Sequence, residues 1–344
     1  MPHLLAAPDK FRGTASAVDV ATTMCAAAEQ QGWTVRAQPL SDGGDGLLEV
    51  FAGQDFEVKR TRVHGPLGGE VEAEWRCDGN LAVLEMARAS GLTLAGGPAH
   101  NDAVGASSVG TGELIVAAAD AVGSDGRIVV GLGGSATTDG GWEAARVVRD
   151  AGGLRGTELI GACDVRIGFV DAARLFGPQK GATEQQVAEL GERLARVAGD
   201  YLREFGVDVT AVEGAGAAGG FGGAVAALGG ELRSGYELVA EFVALRQAIA
   251  GADLVLTGEG ALDAPSFMGK VVGGVVDDST AEGVPVVVVA GRATEEARAE
   301  AARRGVGVVS LLDRFGRAAA MADPRACIAV VVGELLADPE AVRG

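Results

Sequence analysis

The chain has 344 residues, 48% of them hydrophobic and 22% charged, with a formal net charge of −18. That length favours two domains over one core, and the composition is that of a globular protein. The charge excludes a broad basic surface for nucleic acid or an anionic membrane, so an anionic ligand would have to be held by local donors.

The N-terminal stretch HLLAAPDKF predicts a short strand stopped at Pro8, and it lacks the basic start of a signal peptide. Residues 14–32 have helical spacing, with Thr14 or Ser16 as N-cap and Gly32 as the stop. WTVRAQPLSDGGDG predicts a second strand that runs into an acidic glycine knot, which completes a βαβ opening. Residues 55–85 alternate polar and apolar positions around GPLGG and CDGN, the pattern of antiparallel hairpins, and this change of pattern suggests a domain crossing near residue 60.

GTGELIVAAADAVG predicts a helix leading into the strand RIVVG and then the bare stretch GLGGSATTDGG. WEAARVVRDAGG predicts a helix, GTELIGACDV a strand ending at Asp164, and residues 183–206 a long amphipathic helix. GAGAAGGFGG opens a small-residue helix, and residues 237–263 read as a helix followed by a strand into TGEGALD. PVVVVAGR and VGVVSLLD are continuous apolar strands, as in a parallel sheet covered on both faces, and a last helix lies near RACIAVVVGELLAD. The expected fold is α/β: a discontinuous Rossmann-like parallel-sheet domain (residues 1–60 and 236–344) interrupted by an inserted mixed α/β domain with hairpins (61–235).

Cys25, Cys77, Cys163 and Cys327 form no CxxC pair and predict reduced core thiols of a cytoplasmic protein. His3, His64 and His100 are scattered, which argues against zinc and leaves Mg2+ on carboxylates and phosphates as the expected metal. No apolar run reaches the ~18 residues of a membrane span.

Glycine, at 55 residues, concentrates in knots at strand ends, where bare backbone can approach a phosphate. Lys10, Lys180 and Lys270 lie in such stretches, as do Asp42, Asp45, Asp139, Asp164, Glu259 and Asp263. Cations with carboxylates suit phosphoryl transfer, while an Asp at a helix N-cap is the competing structural role, fitting Asp42 and Asp139. Gly214–Gly219 and Gly131–Ala136 also match dinucleotide-binding spacing, with Asp150 as the ribose acid, so a nicotinamide dehydrogenase stays open beside a kinase of a small hydroxy compound and a non-catalytic binding protein.

The knots together carry a resemblance. APDKFRGTASA, SDGGDG, EMARASGL, GTGELI, GLGGSATTDGG, ACDV, FGPQKGA, GAGAAGGFGGA, LRSGYELV and TGEGALD occur in the order found in type II glycerate kinases, bacterial ATP-dependent glycerate 2-kinases. The resemblance implies a two-domain α/β enzyme with its site in the cleft, transferring the ATP γ-phosphate to glycerate to give 2-phosphoglycerate with magnesium. A homodimer is compatible with it, as is a substrate-shifted or non-catalytic paralogue. This chain departs from the family at Lys10 and Arg12, and at Val109 and Ala261, where the family usually has arginine.

The expected site follows. Asp164 ends a buried-looking strand with no cap pattern after it and is the expected base, with Lys10 and Asp42 beside it in catalysis. Asp9, Lys10, Arg12, Asp42 and Lys180 are expected on the substrate. Gly133, Gly134, Ser135, Thr137, Gly216, Gly219, Gly220, Glu259 and Lys270 are expected on the nucleotide, with the backbone at 133–135 and 216–220 facing the cleft. Asp164 and Asp263 are the expected magnesium partners.

Overall fold

A computed structural model describes residues 1–53 and 56–337. Its strands, in chain order, are β1 (His3–Ala6), β2 (Thr34–Ala37), β3 (Glu57–His64), β4 (Glu70–Cys77), β5 (Leu81–Glu85), β6 (Arg127–Gly131), β7 (Glu158–Ala162), β8 (Glu231–Arg233), β9 (Leu254–Leu262), β10 (Val286–Ala293) and β11 (Gly307–Ser310). The chain divides into two compact units, one formed by 1–42 with 235–344 and the other by 43–234.

The first unit holds a five-stranded sheet in the order β11-β10-β9-β1-β2, parallel throughout. Side chains alternate between its faces. Leu4, Ala6, Leu254, Leu256, Val287 and Val289 pack with the helices Ala17–Gln30 and Pro324–Ala337. Leu5, Val255 and Val288 point the other way and are equally buried, which is why these strands read as unbroken apolar runs. Ser16 supplies the first helix's cap: its hydroxyl accepts from Asp19 N and the Asp19 carboxylate returns a bond to the cap. Taken within the unit, the strand order is that of the flavodoxin-type doubly wound sheet, a close relative of the Rossmann order. Its topological switch point lies between β1 and β9, and ligands bind such sheets beyond the carboxyl ends of the strands at that point.

The second unit is a mixed six-stranded sheet in the order β3-β4-β5-β6-β7-β8. β3, β4 and β5 pair antiparallel, as the alternation predicts, and β5 through β8 run parallel. Residues 43–60 belong here because β3 pairs with β4 along its whole length, and because the buried Glu85 carboxylate accepts from Gly46 N (2.8 Å) and Leu48 N (3.0 Å). The sequence boundary near 60 therefore falls inside a strand.

Some local readings differ. Leu311 begins a helix (Leu311–Ala322), so the strand at VGVVSLLD is limited to Gly307–Ser310; the Ser310 hydroxyl caps that helix by accepting from Asp313 N. The helix expected over 237–250 is split at Ala244, whose φ of 52° interrupts it. The helix Glu295–Arg303 was not anticipated, because its many charges mask a narrow buried stripe of Ala297 and Ala301.

The glycine knots of the second unit pack on one another. Buried Asp139 accepts from Ser108 N, Ser108 Oγ and Gly141 N, so it clasps the 136–141 loop to the start of the helix Val109–Val122. Against this loop lies a run of left-handed residues, Ala218, Gly219 and Gly220. A Cβ on Gly219 would stand 2.0 Å from Thr137 O and 2.8 Å from Lys180 Nζ, at a φ of +76°. Gly219→Ala therefore combines overpacking with a strained backbone and is expected to cost about 3 kcal/mol or more. A denaturant melt that moves by less than about 1 kcal/mol would show that this glycine is not needed for packing.

Candidate active site

A cavity of about 590 Å³ opens at the carboxyl ends of the first unit's strands. Every strand of that sheet delivers lining residues through the segment following or ending it: Asp9, Lys10 and Arg12 after β1, Asp42 after β2, Glu259 on β9, Arg292 on β10 and Leu312 after β11. Asp9 N donates to Gly258 O at 2.9 Å, which ties the loop after β1 to β9. Phe11 N and Ala15 O close a tight turn at 2.9 Å that leaves Arg12 exposed. Gly260 and Gly291 let these segments close up, since a Cβ on Gly291 would meet Gly260 O at 2.4 Å and one on Gly260 would meet Arg12 N at 3.1 Å. The missing side chains of TGEGAL and AGR thus serve backbone approach to backbone.

Charge is concentrated at the switch point. Lys10 Nζ lies 3.5 Å from Asp9 Oδ1 and 3.4 Å from Asp42 Oδ1. Asp9 is 7% exposed, and burial, with the Asp42 charge adding to it and Lys10 opposing, pushes its carboxyl up to about 6. Burial also penalises the Lys10 ammonium, but Asp9 and Asp42 more than offset this and hold it above its ordinary value. Glu259 is pushed up to about 7 by burial, opposed in part by the Ser266 hydroxyl and Lys270. Its Oε1 is buried and has no hydrogen-bond partner among the described residues. A carboxylate pushed up to about 7, lining a cavity with several cations, is suited to take a proton near neutral pH.

The cavity gathers Asp9, Lys10, Arg12, Asp42, Glu259 and Lys270 from the expected set, and adds Arg292 and Arg317, which the sequence did not single out. Arg292 stands in register with Ala261, so a guanidinium on β10 adjoins the position where the resemblance leads one to expect arginine on β9. Asp263 does not line the cavity: its Oδ1 accepts from Ser266 N (3.1 Å) and Ser266 Oγ (3.0 Å), capping the turn Ala264–Phe267. It plays the cap role that competes with a functional one for Asp42 and Asp139 in the sequence.

The remaining expected residues lie in the second unit. Asp164 is half-buried in the segment after β7. Lys180 is 2% exposed and donates to Thr137 O at 2.5 Å, while Asn101 Nδ2 donates to Ala136 O and Lys180 O. Burial pulls the Lys180 ammonium down to about 7, against the attraction of Asp139. Thr137 is fully buried, and its hydroxyl has no partner among the described residues. Gly133 and Gly134 pack on Gly44 and Asp45, Ser135 bridges to Gly91, and Gly216 and Gly220 pack on Gly168 and Gly140. At these glycines a side chain would meet protein, so their lack of a Cβ serves packing within the unit. The dinucleotide reading of Gly214–Gly219 also lacks its strand, because a 3-10 turn, Val209–Ala211, precedes it. Val109 begins a helix and is half-buried.

Among the described residues, no group of three or more His, Cys, Asp or Glu side chains could hold a metal. Nor is any helix long and apolar enough to cross a membrane.

Comparison with known proteins decides the family. Residues 4–149 and 149–337 match the glycerate kinase family. The chain belongs to the glycerate kinase family. Its sequence is 36% identical to the glycerate 2-kinase of Escherichia coli over 336 residues, covering 85% of this chain and 86% of that protein. It is 33% identical to the glycerate kinase of Bacillus subtilis over 364 residues, covering 92% of this chain and 94% of that one. An uncharacterised Mycobacterium bovis protein is 40% identical over 330 residues, covering 90% and 83%. A solved structure assigned as a glycerate kinase 2 of Salmonella typhimurium LT2 superposes with a TM-score of 0.80 at 31% identity, covering 99% of each chain. Family and fold make this protein a phosphotransferase.

The shifted groups predict opposite pH dependences of stability. Glu259 is raised from 4.5 to about 7 on folding, so the folded state holds the extra proton between those values and stability falls as pH rises through them. Glu259→Gln should therefore stabilise the protein at pH 8 relative to pH 4.5, by on the order of 2 kcal/mol. Lys180 is lowered from 10.5 to about 7, so the unfolded state holds the extra proton and stability rises between pH 7 and 10.5. Lys180→Met should abolish that rise. Melts of the wild type and both variants across pH check the two signs separately.

Proposed function

We propose that this enzyme transfers the γ-phosphate of ATP to glycerate, giving 2-phosphoglycerate and ADP, in the carboxyl-end cavity of its first unit. The observation that carries the reading is the cluster of Asp9, Lys10, Asp42 and Glu259, buried or half-buried, at the switch point of a sheet in a glycerate kinase family member. The name of the Escherichia coli relative supports the position phosphorylated. Four free cysteines, with Cys25, Cys77 and Cys327 buried, suit action in a reducing cytoplasm.

The cavity's volume, about 590 Å³, suits a nucleotide and a three-carbon acid together. The Glu259 carboxylate takes the proton of the attacking hydroxyl. The hydroxyl oxygen bonds to the γ-phosphorus, the bond to the bridging oxygen breaks, and ADP leaves. Lys10, fixed by Asp9 and Asp42, keeps its charge throughout and attracts the anionic groups that meet beside it. The carboxylate donors fit magnesium: with no all-protein cage among the described residues, a hard cation would be held by Asp42 and Asp9 together with the phosphates of the donor. When bound it supplies neutralisation of phosphate charge.

Asp164 is the second candidate for the base, favoured by its half-buried place after β7. Substitution separates the two. Glu259→Gln should lower kcat at least a hundredfold with little change in KM, and Asp164→Asn should keep kcat within a few-fold. The reverse pattern would give the role to Asp164. In the wild type kcat should rise with pH and level off above about 7, as Glu259 ionises. Lys10→Ala should raise the KM for glycerate or ATP tenfold or more, the size of one charge-assisted contact of about 1.5–3 kcal/mol. ADP release measured with a panel of hydroxy acids tests the whole assignment, and no release with glycerate would overturn it.

A further inference from the structure

Arginine in this acidic chain is almost always committed to an acceptor. Even Arg166, with its side chain 84% exposed, stands 3.7 Å from Glu213, and Arg193 donates to Val104 O at 2.8 Å. Among the described residues, Arg12, Arg292 and Arg317 have neither a carboxylate within ion-pair distance nor a hydrogen bond. All of them line the same cavity. Exposure alone does not leave a guanidinium unpaired here, as Arg166 shows, so the grouping of uncommitted arginines in one place marks a surface kept positive for a ligand.

The wall beside Arg317 has a second character. The helix Leu311–Ala322 breaks at Gly316, whose φ of 77° and ψ of 162° are not helical, and the chain resumes with Arg317. Leu312, Ala320 and Met321 from this helix line the cavity with Arg317, and Met321 is 58% exposed. A large apolar side chain left in water next to an unpaired guanidinium suits a ligand that is flat and apolar at one end and polyanionic at the other. A three-carbon acid has no apolar body to cover that wall. A nucleoside polyphosphate has both parts.

We propose that Arg292 and Arg317 hold the polyphosphate of the nucleotide donor, with its base against Leu312 and Met321, so that this side of the cavity is the donor half and the Lys10–Glu259 side the acceptor half. The inference rests on the reading above only in that the donor is a nucleotide.

Calorimetric titration with ATP and with AMP tests this without turnover. Wild-type protein should bind ATP at least tenfold more tightly than AMP. Arg292→Ala and Arg317→Ala, both at exposed positions, should each weaken ATP tenfold or more, leave AMP within twofold, and leave the KM for glycerate within twofold. Met321→Ala should weaken ATP and AMP alike. Unchanged ATP affinity in both arginine variants would overturn the proposal, as would a loss that falls on the KM for glycerate and spares ATP. If the arginine variants lose ATP as expected while the wild type turns over no glycerate, the donor site stands and the substrate assignment fails.

Discussion

The pairing of β1 with β9 is the constraint on which the site depends. It joins residues 250 positions apart: Leu4, Leu5 and Ala6 lie in register with Leu254, Val255 and Leu256, and the Thr257 hydroxyl donates to Ala7 O at 2.8 Å. Ala7 N and Asp9 N continue the ladder onto Leu256 O and Gly258 O beyond the end of β1. Because both strands end at the same edge of the sheet, Asp9 and Glu259 are delivered to one place by hydrogen bonds alone. The neighbours then follow from topology, with Asp42 arriving on one flank from β2 and Arg292 on the other from β10.

A protein of net charge −18 has to work to attract an anion. Here the work is done by allocation. Acidic side chains elsewhere neutralise arginines in surface pairs, which contribute little to stability individually. At the cavity the acids are few and at least half-buried, and burial itself discharges two of them in part, since both Asp9 and Glu259 sit well above the ordinary carboxylate range. The local field is therefore more positive than a count of charges along these loops would give.

Much of the architecture was legible because burial leaves a periodic trace. The apolar runs of β1, β6, β9 and β10 and the alternation of β3 and β4 correspond to their observed surroundings. The capping pattern at Ser16 and Asp19 needed only local chemistry. The glycine knots were ambiguous in principle: a glycine that admits a phosphate and one that admits another backbone look the same in sequence. Gly219 admits Thr137 O and Gly291 admits Gly260 O, contacts that only the fold reveals. Lysine placement pointed to both Lys10 and Lys180, yet only the fold distinguishes an ammonium in a cavity from one donating to a buried carbonyl. Arg292 and Arg317 left no local trace, because what sets them apart is the absence of an acid nearby in space.

The position of β1 has a consequence for how the chain is made. β1 precedes the other strands of its sheet along the chain but lies in the interior of that sheet, between β2 and β9. One edge of it stays open until residue 254 has been made, while residues 43–234, a continuous segment, have already been completed. Folding during synthesis would therefore finish the interrupting unit before the unit it interrupts. Through that interval Leu4 and Leu5, which end fully buried, offer an unpaired apolar strand edge.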